Sequence, residues 1–219
     1  GFMMHPRVGM ATPYLSEEYM ELVRTCVEKG KQNDMLAWLY DEDKWPSGFA
    51  GGLNTKEEEN RQKSLFITSF PYNAGTLVTE YDKAHATDRL PETKYYFVAC
   101  FDVLLNEDSR LISYKRIELA DEIPAGHEKW FAYVEYAVPS PYYNNQAYCD
   151  TLQKGVIESF IKITHDAYKK HFKKDFGGVI PAIFTDEPNF RTKKTLNFAA
   201  DKHGIVIPYT TDFDKTFRD

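Results

Sequence analysis

The run Val179-Ile180-Pro181-Ala182-Ile183-Phe184-Thr185-Asp186-Glu187-Pro188-Asn189 decides how this chain is read. An apolar stretch stops at Thr185, delivers two acids and is broken by Pro188. A short continuous apolar run predicts a strand buried on both faces, as in parallel sheets. Pro181 belongs near the start of that strand, where a missing N–H costs least. Acids at the carboxyl end of such a strand lie where parallel α/β proteins place their chemistry. Neighbouring strand residues point to opposite faces, so one acid is expected to enter the site and the other to brace it. Glu187 is the candidate working acid, with Asp186 and Asn189 beside it as candidate substrate contacts. The alternative is a plain surface turn, since Asp-Glu-Pro is also ordinary loop chemistry.

Upstream, the strand is preceded by a helix that Asp150 or Thr151 can cap, with Leu152, Val156, Ile157, Phe160, Ile161, Thr164, Ala167 and Tyr168 on one face. His165 and His171 lie in or just beyond it and read as solvated or capping groups. The same alternation opens the chain. Phe2-Met3-Met4-His5 reads as a strand, Ser16 to Lys31 as a capped helix, and Met35 to Tyr40 as the next strand. Strand, helix, strand implies a right-handed crossover and a parallel pair. The second strand runs into Asp41-Glu42-Asp43-Lys44-Trp45-Pro46-Ser47-Gly48-Phe49-Ala50-Gly51-Gly52. Its glycines permit positive φ or close backbone approach, but their order matches no nucleotide loop. Lys129 to Val138 reads as a further strand, with Glu135 and Tyr136 near its end, followed by the aromatic loop Pro139 to Asn145.

Residues 64–119 have a different texture, rich in β-branched and aromatic side chains, with a hairpin turn expected at Asn106-Glu107-Asp108-Ser109. They read as an antiparallel insertion within a single barrel domain spanning residues 1–219. The expected fold is therefore α/β: the N-terminal half of a (β/α)8 barrel of the TIM type, with a β-rich insertion. The remaining strands are expected in a missing C-terminal part, because the last residues read as a helix just beginning.

Composition narrows the function. The formal charge of −6 among 219 residues argues against nucleic acid as a partner. Aromatic residues make up 15%, enough to fill a core and also to form flat platforms for sugar rings. Cys26, Cys100 and Cys149 match neither a zinc spacing nor a disulfide framework. There is no signal peptide and no apolar run of membrane length, so no membrane partner and a cytoplasmic location are expected, and the strand-like opening residues suggest a truncated N-terminus. His5-Pro6-Arg7 stands where a metal hydrolase would want His-x-His, so no metal is assigned.

Carboxylates and aromatics at several strand ends suit glycoside cleavage. One carboxyl protonates the leaving oxygen, and a second acts as nucleophile or activates water. Glu187 is the candidate acid. Asp41 and Glu42 are candidate partners, and Glu135 is a candidate for either that role or sugar-hydroxyl binding. His5, Arg7, Tyr40, Trp45 and Tyr136 complete the candidate substrate contacts.

The segment Trp38-Leu39-Tyr40-Asp41-Glu42-Asp43-Lys44-Trp45-Pro46-Ser47-Gly48-Phe49-Ala50-Gly51-Gly52 resembles a WLYDE-x-x-WPSG-x-AGG pattern of large bacterial barrel glycoside hydrolases. These are α-L-rhamnosidase-like, related to glycoside hydrolase family 106. The opening residues resemble that family's first strand and helix, and Ile183 to Asn189 resembles its fourth-strand acid motif. The resemblance implies a glycoside or oligosaccharide substrate, Glu187 as the acid, and His5, Arg7, Asp41, Glu42 and Trp45 around the sugar. It also implies calcium in some relatives, although no contiguous calcium loop is present to assign ligands. A non-catalytic carbohydrate-binding module using the same rim is the alternative.

Overall fold

The computed structural model describes residues 1–70, 94–196 and 204–218. The chain divides into two compact units, Gly1–Arg61 with Pro139–Phe190, and Gln62–Val138 with Arg191–Asp219.

The first unit holds β1 (Phe2–Met3), α1 (Glu17–Gln32), β2 (Ala37–Tyr40), α2 (Lys154–Phe172) and β7 (Ile183–Phe184). Its three strands are parallel in the order β1-β2-β7. Phe2 pairs with Ala37, and Tyr40 pairs with Phe184. The strand predicted from Val179 is short as a ladder, but the chain runs beside β2 from the start: Ala37 N–H donates to the Val179 carbonyl at 2.8 Å. Pro181 has no N–H to offer, so regular pairing begins only after it.

Helix α1 starts as its sequence predicts. The Ser16 side chain accepts from the Tyr19 N–H at 3.2 Å, and Glu17 and Glu18 occupy the first turn. Its buried stripe of Tyr19, Met20, Val23 and Val27 packs with Tyr168 and Phe172 of α2 and with Ala37, Leu39 and Ile180. Burial of each large side chain is worth about 1.5–3 kcal/mol. A polar thread crosses this core: the Tyr19 and Tyr168 hydroxyls meet at 2.8 Å, and Tyr168 donates to the Tyr40 carbonyl at 2.9 Å. That bond ties α2 to the end of β2, where the site begins.

The second unit is a five-stranded antiparallel sheet in the order β5-β4-β6-β3-β8. The strands are β3 (Lys63–Thr68), β4 (Tyr95–Leu105), β5 (Leu111–Ile117), β6 (Glu128–Tyr136) and β8 (Ile205–Tyr209), followed by the short helix α3 (Phe213–Arg218). Phe66, Cys100, Phe131, Tyr133 and Val206 form its core. The turn between β4 and β5 falls at Asn106 to Ser109, with Ser109 N–H bonded to the Asn106 carbonyl at 2.9 Å. Part of the stretch expected as an insertion, residues 71–93, lies outside the described residues.

This architecture corrects the expected half-barrel. Among the described residues there are three parallel strands rather than four strand–helix units, and the second unit is an antiparallel sheet that half a barrel does not contain. The decisive difference is β6. Its aromatic, β-branched run suits a third barrel strand, yet it lies between β3 and β4, antiparallel to both. A continuous apolar run marks a strand covered on both faces without revealing its direction. A parallel partner also requires a crossover connection, and no helix precedes β6 after β5.

All three cysteines are free thiols. No helix among the described residues is long and apolar enough to cross a membrane.

Candidate functional site at the carboxyl edge of the parallel sheet

Because β1, β2 and β7 run the same way, the residues that follow them gather on one edge. The His5 ring stacks on Tyr40 with centroids 3.8 Å apart. Tyr40 donates its hydroxyl to Asp186 Oδ2 at 2.9 Å, and His5 Nε2 lies 4.0 Å from the same oxygen. Burial, and then the bond to Asp186, raise the Tyr40 phenol well above its ordinary pKa, so it remains a donor. The Asp186 backbone is clamped from both sides by Ser47. Ser47 N–H donates to the Asp186 carbonyl at 2.9 Å, and Asp186 N–H donates to Ser47 Oγ at 2.9 Å.

Asp41 anchors this clamp from below. Its side chain is fully buried and accepts from Ser47 Oγ at 2.6 Å and Thr185 Oγ1 at 2.6 Å, with His165 Nε2 at 3.0 Å. His165, read from sequence as solvated or capping, is thus a partner of Asp41.

Glu42 is fully buried and holds its own loop together. Oε1 accepts from the N–H groups of Asp43 at 2.8 Å and Gly51 at 2.6 Å. Oε2 accepts from Gly48 at 3.0 Å and Ala50 at 2.7 Å. Burial, the largest influence, raises its pKa to about 8, against the downward pull of these four N–H donors. The donors' geometry itself suits the anion. Each oxygen already faces two N–H groups, so a proton on either would confront a donor. The loop can wrap this closely because Gly48 and Gly51 adopt φ of 139° and 61°. A Cβ on Gly48 would stand 2.6 Å from Cys149 Sγ. Asp41 and Glu42 therefore brace the edge from inside and present no free oxygen to solvent.

Glu187 is the opposite case. It is exposed and holds a left-handed backbone, φ 42°, that non-glycine residues seldom adopt. Its Oε2 accepts from the Trp45 indole N–H at 3.1 Å, and Trp45 itself is 42% exposed. Trp45 is held in turn by its carbonyl, which accepts from the Tyr142 hydroxyl at 2.5 Å. Asn189 is half-buried and points its N–H at the Tyr148 hydroxyl, 3.2 Å away. Tyr148 donates to the Ser47 carbonyl at 2.7 Å, so Asn189 closes the clamp. Arg7 is exposed, two residues beyond His5.

The structure thus assembles His5, Tyr40, Asp41, Glu42, Trp45, Asp186, Glu187 and Asn189 within one unit. Glu135 and Tyr136 belong to the other unit, on β6, where Glu135 pairs in register with Ser64 and Tyr95. Sequence reasoning missed Ser47, Tyr148 and His165 as supports. Ser47 and Tyr148 carried no signal beyond their place in small-residue and aromatic loops.

Among the described residues, no group of three or more His, Cys, Asp or Glu side chains could hold a metal ion. The calcium that the resemblance implies thus finds no carboxylate-rich cradle there, and no chemical step is routed through it. Comparison with protein-family models, curated proteins and solved structures gives no significant match.

Proposed function

We propose that this edge binds a saccharide and that Glu187 is the general acid protonating the leaving oxygen of its glycosidic bond. The observation that carries the reading is an exposed carboxylate on a left-handed backbone, hydrogen-bonded to a half-exposed indole. Backbone strain of this kind costs about 1–3 kcal/mol and persists where the surroundings hold it, often at functional sites. The indole face offers a platform for the apolar side of a sugar ring, while its N–H orients the carboxylate.

Of the other carboxylates on this edge, Asp186 is the least enclosed. Its side chain is 19% exposed, whereas that of Asp41 is fully buried and Glu42 is saturated with donors. The Tyr40 hydroxyl holds Asp186 turned inward, so it braces the edge beside Glu187. An α-L-rhamnoside is the substrate class that the sequence resemblance suggests.

The test is turnover of aryl α-L-rhamnoside and a panel of other aryl glycosides by the wild type and Glu187→Gln. General-acid catalysis contributes about 10²–10⁴-fold, so kcat should fall by at least about 100-fold with KM little changed. Equal turnover by both proteins would end the assignment of Glu187. A second reading, binding without cleavage, draws on the engagement of Asp41 and Glu42 in the scaffold. Saccharide binding by calorimetry with no turnover on any glycoside would select it.

A further inference from the structure

A polar cavity of about 300 Å³ opens beside this edge, lined among others by Arg7, Thr12, Asp43, Lys44 and Asn144. Its charges are unequal. Asp43 Oδ2 is answered by Lys44 at 3.5 Å and by the Asn144 amide at 2.9 Å. Lys44 is further bound to Asn144 Oδ1 at 2.9 Å and lies 5.8 Å from the centre of the Tyr142 ring. Arg7 has no carboxylate within ion-pair distance among the described residues, in a chain whose formal charge is −6. The cavity therefore holds one matched pair and one unanswered guanidinium.

Arg7 follows by two residues the His5 ring that lies 4.0 Å from Asp186. Burial raises the Tyr142 phenol, Arg7 draws it down and Asp186 pushes it up, so one hydroxyl feels both groups. That same hydroxyl is bonded to the Trp45 carbonyl. Lys44, which lines the cavity with Arg7, lies over the Tyr142 ring, so a ligand lying on Trp45 would extend a substituent toward that cavity.

We infer that the cavity takes a carboxylate carried by the saccharide, making the preferred ligand an acidic sugar of the uronate class with Arg7 as its specificity-determining contact. The planar guanidinium fork matches a carboxylate in a two-point hydrogen bond, and the Thr12 hydroxyl remains to meet a neighbouring hydroxyl. The inference rests on the reading of this edge as a saccharide site.

The experiment is calorimetric titration of the wild type and Arg7→Gln with matched methyl glycosides: glucuronide against glucoside, galacturonide against galactoside, and mannuronide against mannoside, with glucose 6-sulfate as a further arm. A charge-assisted hydrogen bond predicts at least one pair in which the uronide binds about tenfold more tightly. The acid-to-neutral ratio should collapse toward one in Arg7→Gln and shrink with added salt. Equal affinity within every pair, a ratio that survives Arg7→Gln, or a preference for the sulfate overturns the carboxylate pocket while leaving the saccharide site standing. Binding of no member by the wild type overturns both.

Discussion

Replacing Glu42 by Gln tests whether that residue is scaffold or catalyst. The substitution keeps the shape of the side chain and exchanges one oxygen for an NH2 group. In either orientation, two backbone donors lose their acceptor: Gly48 and Ala50, or Asp43 and Gly51. Each buried N–H left unsatisfied costs about 1–3 kcal/mol, so the variant should lose about 2–6 kcal/mol. A domain has roughly 5–15 kcal/mol in all. The loop also carries Phe49, which packs with Tyr148, Cys149 and Val156, so the loss should spread into that cluster. Urea denaturation measures the cost, and near-UV circular dichroism reports the loosened aromatic packing. Destabilisation below about 0.5 kcal/mol, with activity abolished, would refute the scaffold role and restore Glu42 as a catalytic candidate.

Two further outcomes are expected. Gly48→Ala meets both a φ of 139° and the Cys149 sulfur 2.6 Å from the new Cβ, so it should cost about 1–3 kcal/mol in the same denaturation assay; no loss would mean that the loop rearranges freely. In the other unit, burial pushes the Glu135 carboxyl up to about 7, with Arg191 pulling the other way. Between its ordinary value and about 7 the folded chain holds a proton that the unfolded chain has released, so stability falls as pH rises through that window. The contribution is on the order of 1–3 kcal/mol, and Glu135→Gln should flatten the slope; parallel pH profiles for the two proteins would contradict it.

The edge was partly legible because local rules act there. The apolar run into Thr185-Asp186-Glu187 and the capped helix at Ser16 follow from neighbours in sequence, and the structure keeps both. Asp186 turns inward to Tyr40 and Glu187 faces solvent, but both lie past the end of β7 at Phe184, and the left-handed backbone of Glu187 aims it in a way strand alternation does not describe. What sequence could not separate was Glu42 from Glu187. Both are acids just past an apolar strand, and only the folded loop shows that one accepts four N–H groups while the other meets an indole. The partnership of Asp41 with His165 spans 124 positions, beyond any local pattern. For β6 the failure has a different cause: direction and partner are tertiary properties, and β3 and β4 claimed a strand whose composition also suits a parallel sheet.

The most direct test of a saccharide site at this edge is the NMR signal of the Trp45 indole N–H, assigned by its loss in Trp45→Phe, during titration with methyl α-L-rhamnoside and methyl β-D-glucuronide. This proton bridges the indole to Glu187, so a sugar stacked on the ring must change its surroundings. A saturable shift of that signal with at least one of the two sugars is the predicted result. A signal that stays in place while calorimetry records binding of either sugar would put the saccharide elsewhere and contradict the account.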